Sequence, residues 1–317
     1  MATYGDLATD EVIGWLLEGD PSVRWQVRAH LLDEDDVSVY AERAKVATEG
    51  WGAHYLELQD PEGTWSQSLY APKWTSTHYT LLTLWRLGLP RDDTNALRAA
   101  RALWEAGWKS DHGMNFTKGP RGSSETCISG MALAMLSYFD TGDERVHLLA
   151  DHMLGEQMAD CGWNCRRRRG DTHASFHTTS SALEGLTEYA RAFPSSGRPI
   201  VEAMERGREF LLEHKLYRSH RTGEVVSSAM TRFAFPPYWQ HDVLRALDHF
   251  VAADAPRDER AQDAVELVLG RRDELGRWPQ YRGPNGKYFF PIESVGKPSR
   301  MNTLRALRLA RWWFGAS

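Results

Sequence analysis

The sequence predicts an all-α protein: a six-hairpin (α/α)6 toroid with a central cavity, built as a single domain over residues 1–317. Three observations carry this. Apolar residues recur at three- and four-residue spacings through most of the chain, the helical period, and no comparable series of alternating segments interrupts them. Turn-like stretches recur as DPEGTW at 60–65, DHGMNF at 111–116, DCGWNC at 160–165, RTGEVV at 221–226 and ELGRWP at 274–279. Their glycines, Gly63, Gly113, Gly162, Gly223 and Gly276, lie 50, 49, 61 and 53 residues apart, the period of a supersecondary repeat. Finally, the helical segment after each turn is drier than the one before it.

In chain order, a first helical pair spans about 8–18 and 21–32, and the repeats occupy about 40–317. The segments before the turns run over about 42–59, 94–108, 144–159, 198–214 and 258–272. Those after them run over about 75–88, 124–139, 173–191, 239–251 and 299–314. THYTLLTLWRLGL, ETCISGMALAMLSYF and HTTSSALEGLTEYA, all from the later set, are apolar or small on most sides. A helix of that kind is buried on both sides. VEAMERGREFLLEHK, from the earlier set, keeps a charged stripe suited to water. Six hairpins with a dry inner and an amphipathic outer member close into a ring whose mouth is lined by the loops entering the inner helices. An open HEAT-like solenoid is the structural alternative, and it does not require inner helices so dry.

Composition narrows the partners. With 38 basic against 43 acidic residues, a formal charge of -5, the chain has no overall attraction for nucleic acid, although Arg166–Arg169 form a local basic run. No stretch approaches the length of a bilayer span, and MATYGDLATDEV lacks a signal-like n-region and h-region. The expectation is a cytoplasmic protein acting on a small-molecule substrate; the sequence names no protein partner. Cys127, Cys161 and Cys165 are too few for a disulfide framework, so they serve packing, ligation or reactivity.

The inner-helix starts concentrate polar and aromatic side chains. The first full repeat offers Trp74 and His78, the second Glu125 and Cys127, the third His173 and His177. The fourth offers Arg232, Tyr238, Trp239, His241 and Asp242, and the fifth Tyr288, Phe290, Glu293, Arg300 and Asn302. Ordinary caps and buried hydrogen-bonding groups account for some of these; a filled cavity would also satisfy them. His78, His177 and Asp242 are the proton-transfer candidates, with Asp242 orienting His78 or His177 across the ring. Cys127 is a candidate ligand or nucleophile. The aromatic residues could stack on an apolar body or a cation, while Arg232, Arg300 and the histidines hold an acidic head. His173 and His177 share a face if the helix has begun by His173. A zinc site could use Cys165 with either histidine, whereas the C-x-x-x-C spacing of Cys161 and Cys165 is not that of a redox pair. Serine-hydrolase, zincin, P-loop and dinucleotide signatures are missing.

YLELQDPEGTW, with Gln59, Gly63 and Trp65, resembles the Q-x-x-x-G-x-W repeat of squalene and hopene cyclases. Gln157, Cys161 and Trp163 repeat the spacing with cysteine for glycine, and Gly276 and Trp278 keep its end. The resemblance implies an all-helical toroid superfamily that also includes protein prenyltransferase β-subunits. The D-x-D-D acid of the cyclases is absent, and Asp92 and Asp93 read as solvated caps. SSETCISGMAL and SFHTTSSALEGL look like the zinc-binding segments of the prenyltransferases. By that resemblance Glu125, Cys127 and His177 would hold Zn2+, with glutamate where the family has aspartate. The function implied is a small-molecule cyclase, lyase or transferase acting on an amphipathic or polar substrate, with zinc or no cofactor. A zinc-dependent hydrolase or transferase, or a non-catalytic ligand- or protein-binding scaffold, are the alternatives.

Overall fold

A computed structural model describes residues 3–116 and 123–315. After α1 (Tyr4–Leu7), six outer–inner hairpins follow. They pair α2 (Asp10–Leu17) with α3 (Pro21–His30), then, past α4 (Asp36–Ala44), α5 (Gly50–Glu57) with α6 (Thr77–Leu87). Next come α7 (Thr94–Gly107) with α8 (Thr126–Phe139) and α9 (Arg145–Gly155) with α10 (Phe176–Ala192). The last two join α11 (Arg198–Glu213) to α12 (Val243–Ala252) and α13 (Gln262–Leu269) to α14 (Arg300–Phe314). Among the described residues the architecture is all-helical, with isolated bridges only at turns.

The ring closes on itself. Arg311 of α14 donates to the His30 carbonyl at the end of α3 (2.7 Å) and pairs with Asp33, while Arg300 Nε reaches the Trp15 carbonyl of α2 (2.9 Å). Trp25 Nε1 of α3 donates to the Leu87 carbonyl of α6 (2.9 Å). First and last hairpins are therefore neighbours, which excludes the open solenoid. The inner helices α6, α8, α10, α12 and α14 carry mostly buried residues, as their dryness predicts. Side-chain caps set several starts: Asp20 before Pro21, Asp93 on Ala96 N–H and Ser299 on Asn302 N–H.

Two sequence features position the helices. In the repeated motif each tryptophan is wholly buried and donates its indole N–H to the carbonyl ten residues back, at the end of the outer helix. The distances are 2.7 Å for Trp65, 2.8 Å for Trp163 and 2.7 Å for Trp278. The same residues' backbone N–H groups bond Thr77, Thr179 and Thr303 on the inner helices at 3.0, 3.0 and 2.9 Å, so one residue locks both members of a hairpin. Gln59 and Gln157 extend the tie to the next outer helix through the Asn95 and Ala203 carbonyls. Between α8 and α10, Gly130 and Gly185 allow backbone contact: a Cβ on Gly185 would lie 2.5 Å from the Gly130 carbonyl oxygen.

The structure corrects some expected boundaries. The segment expected over 42–59 is split into α4, a short 3-10 turn over Lys45–Ala47 and α5. α10 starts at Phe176, so His173 precedes it and shares no helix face with His177. The left-handed turn position is Gly63, His112, Cys161 and Gly276, so Cys161 does take the glycine place of the third motif, and in the second repeat His112 takes it one residue before Gly113. Their shared geometry comes from the turn hydrogen bonds, His112 N–H to Lys109 O and Cys161 N–H to Met158 O, which match Gly63 N–H to Asp60 O.

Candidate functional site

At the N-terminal ends of the inner helices, three loops meet over the ring axis. Trp74 lies 4.6 Å from Tyr238 and stacks on Tyr288 at 6.4 Å between ring centres, and its indole N–H donates to the Asn285 carbonyl (2.9 Å). Trp74 and Tyr238 both adopt left-handed backbone, which turns these rings inward. Phe290 packs on Tyr55 at 4.6 Å. A cavity of about 260 Å3 remains beside this plug, between Tyr55, Gln280 and Tyr288. Glu293 accepts from Ser299 and from Arg300 N–H (2.6 Å), closing the start of α14. Asn302 donates to the Phe233 and Pro279 carbonyls (3.0 Å each). Arg300 turns outward to Trp15, away from any acidic head at the mouth, because the α2 carbonyl lies within reach.

The histidines fall into separate environments. His241 Nε2 faces the Leu216 carbonyl (2.7 Å) and so carries the proton, leaving Nδ1 to accept from Ser180 (2.7 Å). His177 Nδ1 accepts the His241 backbone N–H (2.8 Å), and its ring meets Trp239 at 5.1 Å. Burial pushes His241 down to about 3 and His177, also repelled by Arg245, to about 4, so both are neutral. His78 is fully buried against Tyr70 and Phe116, and among the described residues neither ring nitrogen has a hydrogen-bond partner. His173 contributes its carbonyl to Asn164 (2.7 Å). Asp242 caps α12 through Arg245 N–H to Oδ1 (2.8 Å), so one carboxylate oxygen holds the helix end, and among the described residues no Asp242–histidine hydrogen bond forms. Burial still raises Asp242 to about 6.

Glu125, Cys127 and Cys165 do converge, with their ligand atoms all within 4.8 Å of one another. Cys127 Sγ donates to Glu125 (3.4 Å). Hydrogen bonding from Cys127, helped by Thr178, draws Cys165 down to about 7, while the Cys165 contact and burial push Cys127 up. Two sulfurs and a carboxylate oxygen fit zinc with one position left for another ligand. His177 lies outside this group, its Nδ1 already engaged by His241. The basic run is a paired loop: Arg167 and Arg168 reach Glu156 at 3.2 and 3.1 Å, and Arg166 reaches Asp171 at 3.4 Å.

Below the plug, the C-terminal halves of the inner helices line a half-open cavity of about 350 Å3. Its wall joins aromatic faces, Trp25, Trp85 and Tyr138, to six arginines and three carboxylates. Glu184 sits between Arg86 (2.9 Å) and the fully buried Arg245 (2.6 Å). Burial pushes the Glu184 carboxyl up, but the two guanidiniums outweigh it and hold it at about 2. Asp248 binds Arg305 (2.7 Å), and Glu188 binds Arg91 (2.5 Å). None of these was anticipated. Their signal was present: Arg86 and Glu184 are charges inside the driest helices, where a charge needs an internal partner.

No protein-family model matches the sequence, and no curated protein does. Among solved structures, the chain is similar to a protein from Actinoplanes at 13% identity and a TM-score of 0.49, over 95% of this chain and 97% of that one. It is also similar to the type II terpene cyclase MstE from Scytonema. A single-residue variant of that cyclase, in complex with its product merosterolic acid A, matches at 11% identity and a TM-score of 0.34, over 86% of this chain and 96% of that one. The apo form matches at 11% and 0.34, over 87% and 98%. Identities this low carry no activity across. Among the described residues, no helix is long and apolar enough to cross a membrane.

Proposed function

We propose that the protein is a small-molecule enzyme that takes an amphipathic substrate into the central cavity, with Asp242 as its proton-transfer group. The observation that carries this reading is the hollow of about 350 Å3 with aromatic faces and guanidiniums on one wall. Cavities of roughly this size, ~300–1,000 Å3, hold small ligands. Asp242 is buried, one of its oxygens is occupied by Arg245 N–H, and burial holds its carboxyl at about 6, so it can carry a proton near neutral pH. Asp242 is not itself in the cavity lining; it interacts electrostatically with Arg305, which is, so access to it runs past that guanidinium. Proton transfer from such a group serves cyclisation or elimination.

The test compares solvent extracts of purified wild type and Asp242→Asn by mass spectrometry. Asparagine keeps the helix cap, so the fold is retained. The expected result is that the variant holds a substrate absent from wild type, and that turnover of that compound falls by about 10²–10⁴-fold. The same bound compound in both proteins, unchanged on incubation, would make this a binding protein instead.

A specific observation favours a second reading, a zinc-dependent hydrolase or transferase: the convergence of Glu125, Cys127 and Cys165. Zinc there would supply Lewis-acid chemistry or an activated thiolate or water. Elemental analysis of protein purified without added metal decides it. Near-stoichiometric zinc lost in a Cys127→Ser and Cys165→Ser double variant supports the site, and zinc-free active protein removes it.

A further inference from the structure

Arg308 stands apart from the other cavity arginines. It projects from the middle of α14, and among the described residues it has no carboxylate within ion-pair distance; its polar contact is a long 3.4 Å bond to Gln26 Oε1. Arginines at helix C-termini are favoured by the macrodipole and by unsatisfied carbonyls. Arg43 and Arg191 serve that role, donating to the Gly88 and Ala252 carbonyls. Arg86, Arg91 and Arg305 are neutralised by Glu184, Glu188 and Asp248. Arg308 is left over. A half-buried guanidinium whose nearest attractive charge, Asp248, is already paired with Arg305 is costly unless something else supplies the charge.

The position of Arg308 indicates where that charge enters. A second, more open cavity of about 520 Å3 lies on the outer C-terminal face, and Arg308, Arg191 and His30 line both it and the central hollow. At the opposite mouth Trp74, Tyr238 and Tyr288 pack against one another and narrow the opening, beside the cavity of about 260 Å3. His30 reports the local field: burial, then Arg308, Arg191 and Arg311, push it down to about 3, so it stays neutral and leaves the positive charge to the guanidiniums.

We infer that the ligand enters from the C-terminal face and carries an oxyanion, a carboxylate or a phosphate, that Arg308 holds while its apolar or aromatic body lies against Trp25, Trp85 and Tyr138. This rests on the central-cavity reading and adds the substrate class. A planar guanidinium matches both kinds of oxyanion through paired N–H bonds.

The experiment is calorimetric titration and thermal denaturation of the whole chain with phenyl phosphate, phenylacetate and benzyl alcohol. In wild type at least one of the two anions binds ten-fold or more tighter than the alcohol and raises Tm with concentration. Arg308→Gln weakens that anion by about 10–100-fold, the loss of a charge-assisted contact. Arg198→Gln, on the exposed face of α11, changes it by less than two-fold. Arg308→Leu raises the Tm of the ligand-free protein because it removes an unpaired charge, and it abolishes anion binding. Benzyl alcohol binding as well as the anions overturns the oxyanion while leaving the cavity reading intact. Undiminished anion affinity in Arg308→Gln, a lowered ligand-free Tm in Arg308→Leu, or no binding of either anion overturns the proposal. An empty solvent extract from Asp242→Asn bears on the cavity reading alone.

Discussion

At the N-terminal ends of the inner helices, Trp74, Tyr238 and Tyr288 narrow the ring axis with flat faces; at the C-terminal ends, Arg86, Arg305 and Arg308 surround a hollow. The same helices build both ends, so the difference lies in what their side chains can do when they meet. Aromatic rings gain by contact and collapse onto one another until water is excluded. Guanidiniums repel and must keep their carboxylates and carbonyls in place, which props the wall open. A ring of this kind can therefore narrow one mouth and keep a cavity at the other without changing its helical frame.

The comparison breaks most readily at Glu184. Glu184→Gln leaves Arg86 and the fully buried Arg245 without their shared counter-charge, and denaturant unfolding should show a loss of about 3–5 kcal/mol. The pH dependence follows from the same triad. The Glu184 carboxyl is held at about 2 in the folded protein against 4.5 for an ordinary glutamate, so the unfolded chain binds the proton more tightly. Stability from this group is present above about 4.5 and lost as pH falls towards 2, amounting to about 3 kcal/mol. An acid titration of wild type against Glu184→Gln should show that loss in wild type only.

The aromatic end is the softer test. Trp74→Phe removes the hydrogen bond to Asn285, costing about 1 kcal/mol in chemical denaturation, and should leave anion affinity at the other end unchanged. The smallest effect on stability belongs to the thiols. Alkylation by iodoacetamide should select Cys165 with a rate midpoint near pH 7, because its contact with Cys127 favours the thiolate, and Cys127→Ser should change that midpoint while leaving Tm within a degree or two. A midpoint unmoved by the substitution would show that Cys127 has no part in activating Cys165.

Much of the frame was legible in the sequence. The tryptophan-bearing turns were readable because each repeats one local task, capping an outer helix through the indole and joining an inner one through a threonine. The site was less legible. Glu125 and Cys127 were readable as a pair by spacing, but their meeting with Cys165 in place of His177 depends on how the loop before α10 turns, through Trp163, Cys165 and Thr178. Arg300 and Asn302, which look like rim residues in the chain, are used instead to hold α14 to its neighbours.

By itself the sequence determined the helical period and the order of outer and inner helices, because dryness and turn chemistry act over a few residues at a time, while closure of the ring rests on contacts between α14 and α3. Only the tertiary structure decided which mouth is narrowed and which stays hollow. That choice depends on charges remote in sequence, such as Arg86, Glu184 and Arg245, finding one another across the ring, and on Arg308 finding no carboxylate partner among the described residues. Long-range pairing has no period for a sequence to display.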